Sequence, residues 1–331
     1  MINLENKNVL IIGGTGSLGK ALLDHLLRKF RNVNVRIYSR DEQKQYELSS
    51  TLDPEFRSKV DFSIGDVRDR DRVCEVTSGI NIVIHAAAMK HLPIAESNPE
   101  EAFKTNVLGT QNVAYAAMIN NVERVVGLST DKAVMPISSY GASKLYLEKI
   151  LVAANSSRAN QGTKFCVVRY ANVLGSRGSV VPFFNRIKDT REFPITDLNM
   201  TRFSLTTEQG INIVMFALDN QSGGEIYIPK APSYKITTVA EAIAADCKLR
   251  EIGIRHNEKI SELMVSRYEA GRTLEFENCY VVLPYAEESL IISYLKKHGG
   301  SRVPAGFEYD SSTNTEWLSV MQLREQIANL K

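Results

Sequence analysis

Val9-Leu10-Ile11-Ile12-Gly13-Gly14-Thr15-Gly16-Ser17-Leu18-Gly19 is the stretch that decides the fold. Its first four residues are an apolar run, suited to a short buried strand. The glycines then form a turn, and apolar residues recur at helical spacing over residues 18–30. A strand, a glycine turn and a helix in that order make a dinucleotide site. Gly13 allows the tight turn, Gly16 lets the backbone approach a pyrophosphate, and Gly19 lets helix and strand pack closely. The helix start offers free N–H groups to phosphate, which adds Thr15, Ser17 and Leu18 to the candidate cofactor residues. The spacing is G-x-x-G-x-x-G rather than G-x-G-x-x-G. A glycine-rich turn without a ligand is the bland alternative.

The alternation continues outward. A second strand is expected over 33–38, followed by Ser39-Arg40-Asp41. An arginine there suits a ribose 2′-phosphate by charge and bidentate geometry, so NADP is favoured, with Ser39, Arg40 and Lys44 as contacts. Asp41 keeps NAD as the alternative. A third strand over 60–64 precedes Gly65-Asp66-Val67. Asp66 is read either as an acceptor for the adenine amine or as a helix N-cap. A fourth strand, 82–85, ends in Ala86-Ala87-Ala88, small residues that let a cofactor lie against the backbone. His85 is expected to be a packed strand-end histidine. Strands at 124–128 and 164–170 complete an α/β, Rossmann-type, doubly wound parallel sheet. Ligands of such sheets bind at the carboxyl ends of the strands, where all these clusters lie.

The fifth strand runs into Ser129-Thr130-Asp131-Lys132, and Tyr140-Gly141-Ala142-Ser143-Lys144 follows. Tyr140 and Lys144 share one face of a helix. An ammonium beside a phenol lowers the phenol's pKa, and such a phenol can take a proton from an alcohol while hydride leaves its carbon. Asp131 and Lys132 add a second acid/base pair, more than a plain alcohol dehydrogenase needs. The bland reading of that pair is a surface ion pair after a strand.

The chain has 331 residues, 44% of them hydrophobic, enough for a large α/β domain with a smaller one. Net charge is +2, and no dense basic cluster points to nucleic acid. Arg68 to Arg72 alternates in sign, as a solvated helix start would. Four scattered cysteines (Cys74, Cys166, Cys247 and Cys279) form no C-x-x-C, which suits reduced thiols in a cytoplasmic protein. No signal peptide, membrane span or metal-ligand spacing is read. The expected division is an NADP-binding region over 1–170 and a mainly substrate-binding region over 171–331, interleaved with the first. Beyond Tyr170 the pattern is irregular. It includes a helix over 181–188, a strand over 225–228, a helix over 238–245, one or two strands over 273–283, and a last helix over 320–330.

Taken together, these motifs resemble the extended short-chain dehydrogenase/reductase superfamily. Within it the chain is similar to the UDP-N-acetylglucosamine 4,6-dehydratases of the inverting type that opens pseudaminic acid biosynthesis. The matching stretches run almost end to end. They include Tyr38-Ser39-Arg40-Asp41-Glu42, Ala86-Ala87-Ala88-Met89-Lys90-His91-Leu92-Pro93, Leu128-Ser129-Thr130-Asp131-Lys132-Ala133, Val168-Arg169-Tyr170-Ala171-Asn172-Val173 and Met200-Thr201-Arg202-Phe203. Related glucose dehydratases carry Asp-Glu in place of Asp131-Lys132. Many retaining relatives have methionine in place of Tyr140 and resemble membrane proteins. Gly253-Ile254-Arg255-His256-Asn257 departs from the family, which usually carries Pro-Gly at the last two positions, and this puts the loop's shape in question.

The resemblance implies roles. Tyr140 takes the C4 hydroxyl proton, Lys144 holds the ribose, Lys132 removes the C5 proton as a neutral amine, and Asp131 protonates the leaving C6 hydroxyl. Thr130 hydrogen-bonds the sugar or caps a helix. Lys90, Thr105, Asn106, Asn172, Val180, Thr196, Arg202 and Arg255 fall at substrate positions, with Arg177 a further diphosphate candidate. A dimer or hexamer is implied. A retaining dehydratase, a 4-epimerase and a non-catalytic NADP-sensing protein are the alternatives.

Overall fold

Ten strands make one sheet in the computed structural model, which describes residues 2–176 and 179–330. The first six strands are β1 (Asn8–Ile12), β2 (Asn34–Ser39), β3 (Val60–Ile64), β4 (Ile82–His85), β5 (Arg124–Thr130) and β6 (Lys164–Tyr170). Those of the second half are β7 (Glu192–Ile195), β8 (Thr201–Phe203), β9 (Ile226–Pro229), β10 (Ser233–Lys235), β11 (Lys248–Glu251), β12 (Leu263–Val265), β13 (Thr273–Glu275), β14 (Cys279–Val282), β15 (Ser301–Arg302) and β16 (Tyr309–Asp310). The order across the sheet is β3-β2-β1-β4-β5-β6-β9-β14-β13-β15. Strands from β3 through β9 pair in parallel, and the last three turn antiparallel. This is the Rossmann-type doubly wound sheet that the strand–helix alternation predicts.

The apolar run of β1 explains its central place. Val9 and Ile11 pack on one face with Leu22, Leu26 and Val214, while Leu10 and Ile12 pack on the other with Val83, Val113 and Leu147. A strand covered on both faces must be apolar throughout. A third core, with Phe184, Phe193, Ile195, Tyr234, Val239 and Leu323, belongs to a small region built on β7, β8, β10 and β11.

In the second half, the chain is more regular than its sequence pattern suggests. The helix Thr207–Asn220 and the helix Glu288–His298 both stand where no element is expected. The first opens with a capping box, Thr206 and Gln209 each bonding the other's backbone, a signal present in the sequence. The short strands β7, β8, β10 and β11 were also not foreseen. At three or four residues, each depends on partners distant in sequence, such as Phe203 opposite Ser233. The helix expected over 181–188 spans Val180–Ile187, with Pro182 in its first turn, where the missing N–H costs nothing.

Candidate active site

A cleft of about 1020 Å³ opens along the carboxyl ends of β1, β4, β5 and β6. One wall is backbone. Gly13 has φ +85, and a Cβ there would lie 2.7 Å from the Ala87 amide nitrogen, so only glycine fits. At Gly19 a Cβ would lie 2.6 Å from Gly14 Cα, which ties the helix Ser17–Lys29 tightly to the turn. Gly16 differs. It is exposed, and its absent Cβ would meet only the Gly13 carbonyl oxygen, at 3.3 Å. The rest of that space is cleft, directly at the start of the helix.

Thr15, Ser17, Leu18, Ser39, Arg40, Lys44, Val67, Ala86, Ala87 and Lys90 line the same wall. Asp41 caps the helix Glu42–Ser50 through the Lys44 amide and also accepts the Lys44 ammonium, so its carboxylate is engaged. Arg40 remains 62% exposed, with only a 3.5 Å contact to Asp66. Asp66 is not an N-cap; Asp69 caps the helix Arg70–Thr77. Nor does Asp66 line the cleft. Its carboxylate accepts the Arg68 amide at 3.0 Å and the Arg68 guanidinium at 2.7 Å. Burial opposes its charge, but these bonds hold the carboxyl below its ordinary range. His85 is buried beside Thr110 at 3.0 Å, and burial pushes its pKa down to about 3.

The other wall is charged. Thr130, Asp131, Lys132 and Tyr140 meet where β5 ends and the helix Ser139–Ala154 begins. Thr130 caps the short turn Asp131–Ala133 and donates to Asp131 Oδ1 at 2.6 Å. Asp131, 1% exposed, also accepts the Lys132 amide at 2.9 Å and lies 3.2 Å from Lys132 Nζ. One expectation about charge is reversed here. Burial alone would lower the Lys132 pKa, but Asp131 and Glu262, the latter 2.9 Å away, override it and hold the ammonium charged. Burial pulls Lys144 down to about 7 against the pull of Glu148, and burial pushes the phenol up to about 12, opposed by Lys132 and Thr130. The cation that most opposes burial at Tyr140 is Lys132.

Lys144 is 2% exposed and lies outside the cleft lining. Below it, Glu148 accepts Ser129 Oγ at 2.6 Å and Arg169 Nη2 at 2.7 Å, and Arg169 reaches Glu269 at 3.0 Å. Asn106 is also no cleft residue. Fully buried, it clamps the Met89 amide and carbonyl and donates to Ser143 Oγ at 2.8 Å, bracing the loop after β4 against the Tyr140 helix.

Thr105, Asn172, Val180, Thr196, Arg202 and Arg255 all line the cleft. Arg202 is buried and bonds the carbonyls of Thr201, Lys259 and Ile260. Arg255 is 61% exposed. Arg177 lies outside the described residues. Asn257 has φ +59, the left-handed region that a glycine would occupy and that asparagine tolerates. The departure from Pro-Gly thus keeps a glycine-like backbone there, and Asn257 adds a bond to Glu96 at 2.8 Å. Glu262 and Tyr234 beside this wall were not foreseen.

A family model described as "Polysaccharide biosynthesis protein" matches residues 9–284. The chain belongs to that family. The UDP-N-acetylglucosamine 4,6-dehydratase (inverting) of Campylobacter jejuni subsp. jejuni serotype O:23/36 (strain 81-176) is 45% identical over 330 residues, 98% of each chain. A UDP-glucose 4-epimerase of Rickettsia bellii (strain RML369-C) is 38% identical over 333 residues, covering 98% of this chain and 96% of its own. The X-ray structure of Pen from Bacillus thuringiensis superposes with a TM-score of 0.87 at 35% identity, over 99% of this chain and 100% of that one. The likeness to inverting dehydratases read from the motifs therefore holds over nearly the whole chain. No helix among the described residues is long and apolar enough to cross a membrane.

Proposed function

We propose that the chain is a UDP-N-acetylglucosamine 4,6-dehydratase that inverts C5, a hydro-lyase that recycles NADP and makes the starting sugar of a pseudaminic acid-type pathway. The Asp131–Lys132 pair carries this reading, because it faces the cleft beside Tyr140 and an epimerase has no elimination for it to catalyse. The glycine turn fits a dinucleotide: Gly16 leaves its Cβ space to the cleft, at a helix start that favours phosphate. Exposed Arg40 beside an engaged Asp41 favours a 2′-phosphate over a bare ribose.

When bound, the nicotinamide would accept hydride from C4, return it to C6 and bring positive charge near the phenol. Tyr140 receives the O4 proton, and Thr130 and Lys132 stabilise the phenolate. The C4 ketone makes the C5 proton acidic. Lys132 begins as an ammonium, so it becomes a base by passing a proton to Asp131, across 3.2 Å. One shared proton thereby yields both an amine to take the C5 proton and a carboxylic acid to protonate the departing O6. Water leaves with the Asp131 proton, Lys132 keeps the one taken from C5, and C5 receives a solvent-derived proton on the opposite face. The Rickettsia relative's name supports a second reading, 4-epimerisation of a UDP-hexose.

The test is incubation with UDP-N-acetylglucosamine in D₂O, followed by NMR. A 4-keto-6-deoxy sugar of L-arabino configuration with deuterium at C5 is expected. A D-xylo product formed from the outset would mean retention, and C4 epimerisation without loss of the C6 oxygen would establish the second reading.

A further inference from the structure

Glu262 stands beside the proposed chemistry without touching the cleft. Its side chain is 2% exposed, with one oxygen 2.9 Å from Lys132 Nζ and 3.6 Å from Arg202 Nε. The other oxygen, Oε2, is buried without a hydrogen-bond partner among the described residues. Its backbone is held rigidly. The Glu262 amide donates to Ser311 Oγ at 2.9 Å, its carbonyl accepts the Ser311 amide at 2.9 Å, and Ser311 Oγ bonds Thr201 Oγ1 at 2.8 Å. Lys132 Nζ is therefore set between two carboxylates that come from opposite halves of the chain.

We infer that Glu262 is a positioning residue for the dehydration, holding Lys132 Nζ against Asp131 and keeping that pair loaded with one proton. This rests on the function proposed above. The argument is one of charge balance. Asp131, Glu262, Lys132 and Arg202 sum to zero while Lys132 is an ammonium. Loss of its proton to solvent would leave two buried carboxylates facing one guanidinium, which low-dielectric surroundings penalise. Transfer to Asp131 keeps the sum at zero, so the proton moves within the pair rather than out of it.

The neighbouring groups do not replace Glu262. Glu258 faces Arg202 at 3.5 Å, Lys259 is a cation bonded to the Val134 carbonyl, and Asp310 accepts Ser261 Oγ at 3.1 Å. The phenols of Tyr140 and Tyr234 complete the surroundings, and burial pushes both up to about 12.

Glu262→Gln keeps the shape and removes the charge. Lys132, with one anionic partner fewer, should then lose its proton at lower pH. The test titrates the Lys132 Cε resonance in ¹³C-lysine-labelled wild type and variant, and measures kcat and KM against pH for both. The expected result is a Lys132 midpoint, and with it the alkaline limb of kcat, moved down by at least about one pH unit, with KM changed less than about threefold. An unmoved midpoint overturns the inference, even if activity falls, because a merely structural role lowers rate without moving a titration. The resonance is read without turnover, so an inactive wild type would sink the proposed function, while the titration would separately decide whether Glu262 holds the Lys132 charge. Should the glutamine variant fail to fold by circular dichroism, Glu262→Asp takes its place. Its charge should hold the midpoint within about 0.3 unit of wild type while kcat drops; a shift of a full unit would overturn the inference.

Discussion

The two walls of the cleft are made of different material. The glycine wall is mostly backbone: three glycines, a helix start and small alanines, all close in sequence to β1 or β4. The other wall is mostly charge: Asp131 and Lys132 just after β5, Arg202 on β8 and Glu262 just before β12, all buried except Lys132, whose side chain is 17% exposed. A backbone wall recognises by leaving room, so its faults are steric and register as stability or affinity. A charged wall acts by moving protons, so its faults register as rate. The contrast can be broken by substitutions on either side.

The largest effect belongs to the charged wall. Lys132→Ala removes the proposed base for the C5 proton and should lower dehydration of UDP-N-acetylglucosamine about 10³-fold, with the fold intact. NMR of the product checks this, and activity near wild type would mean that the pair performs no elimination. On the backbone wall, Gly19→Ala places a Cβ 2.6 Å from Gly14 Cα and 2.7 Å from the Gly14 oxygen, atoms that cannot swing aside. Thermal or urea unfolding should show a loss of about 2 kcal/mol. Arg40→Ala should cut NADP affinity about tenfold and leave NAD within about twofold, by calorimetric titration; an equal loss for both would show that Arg40 does not read the 2′-phosphate. Smallest is Asn257→Gly. Asn257 already holds a glycine conformation, so KM should change less than about threefold although the bond to Glu96 is lost.

The same contrast explains what could be read in advance. The glycine turn, the six parallel strands and the Tyr140–Lys144 spacing lie within short windows, where periodicity and local geometry carry the information. The charge state of Lys132 does not. It depends on Glu262, 130 positions away in the chain and brought near through β12, a strand of three residues. A desolvated pocket with Lys144 nearby would favour the neutral amine; with Asp131 and Glu262 beside it the ammonium is held instead. The N-cap reading of Asp66 fails because Asp69 caps the helix Arg70–Thr77, and Arg68 is turned back onto Asp66. Asn106 was placed at the substrate by resemblance, whereas its three polar bonds are all spent inside the protein. The capping box at Thr206 was legible and simply passed over amid an irregular stretch.

The chain leaves the large sheet after Tyr170, rejoins it at Ile226, leaves again after Pro229 and returns at Thr273. The two sides of the cleft are thus sewn together rather than hinged, with several threads crossing the seam and the Arg169–Glu269 ion pair acting as a knot within it. No single cut frees one side from the other. Widening the cleft must stretch every thread at once, which favours small sliding adjustments over a swinging door. A molecule held there would be gripped from both sides by a frame whose spacing is set when the chain folds.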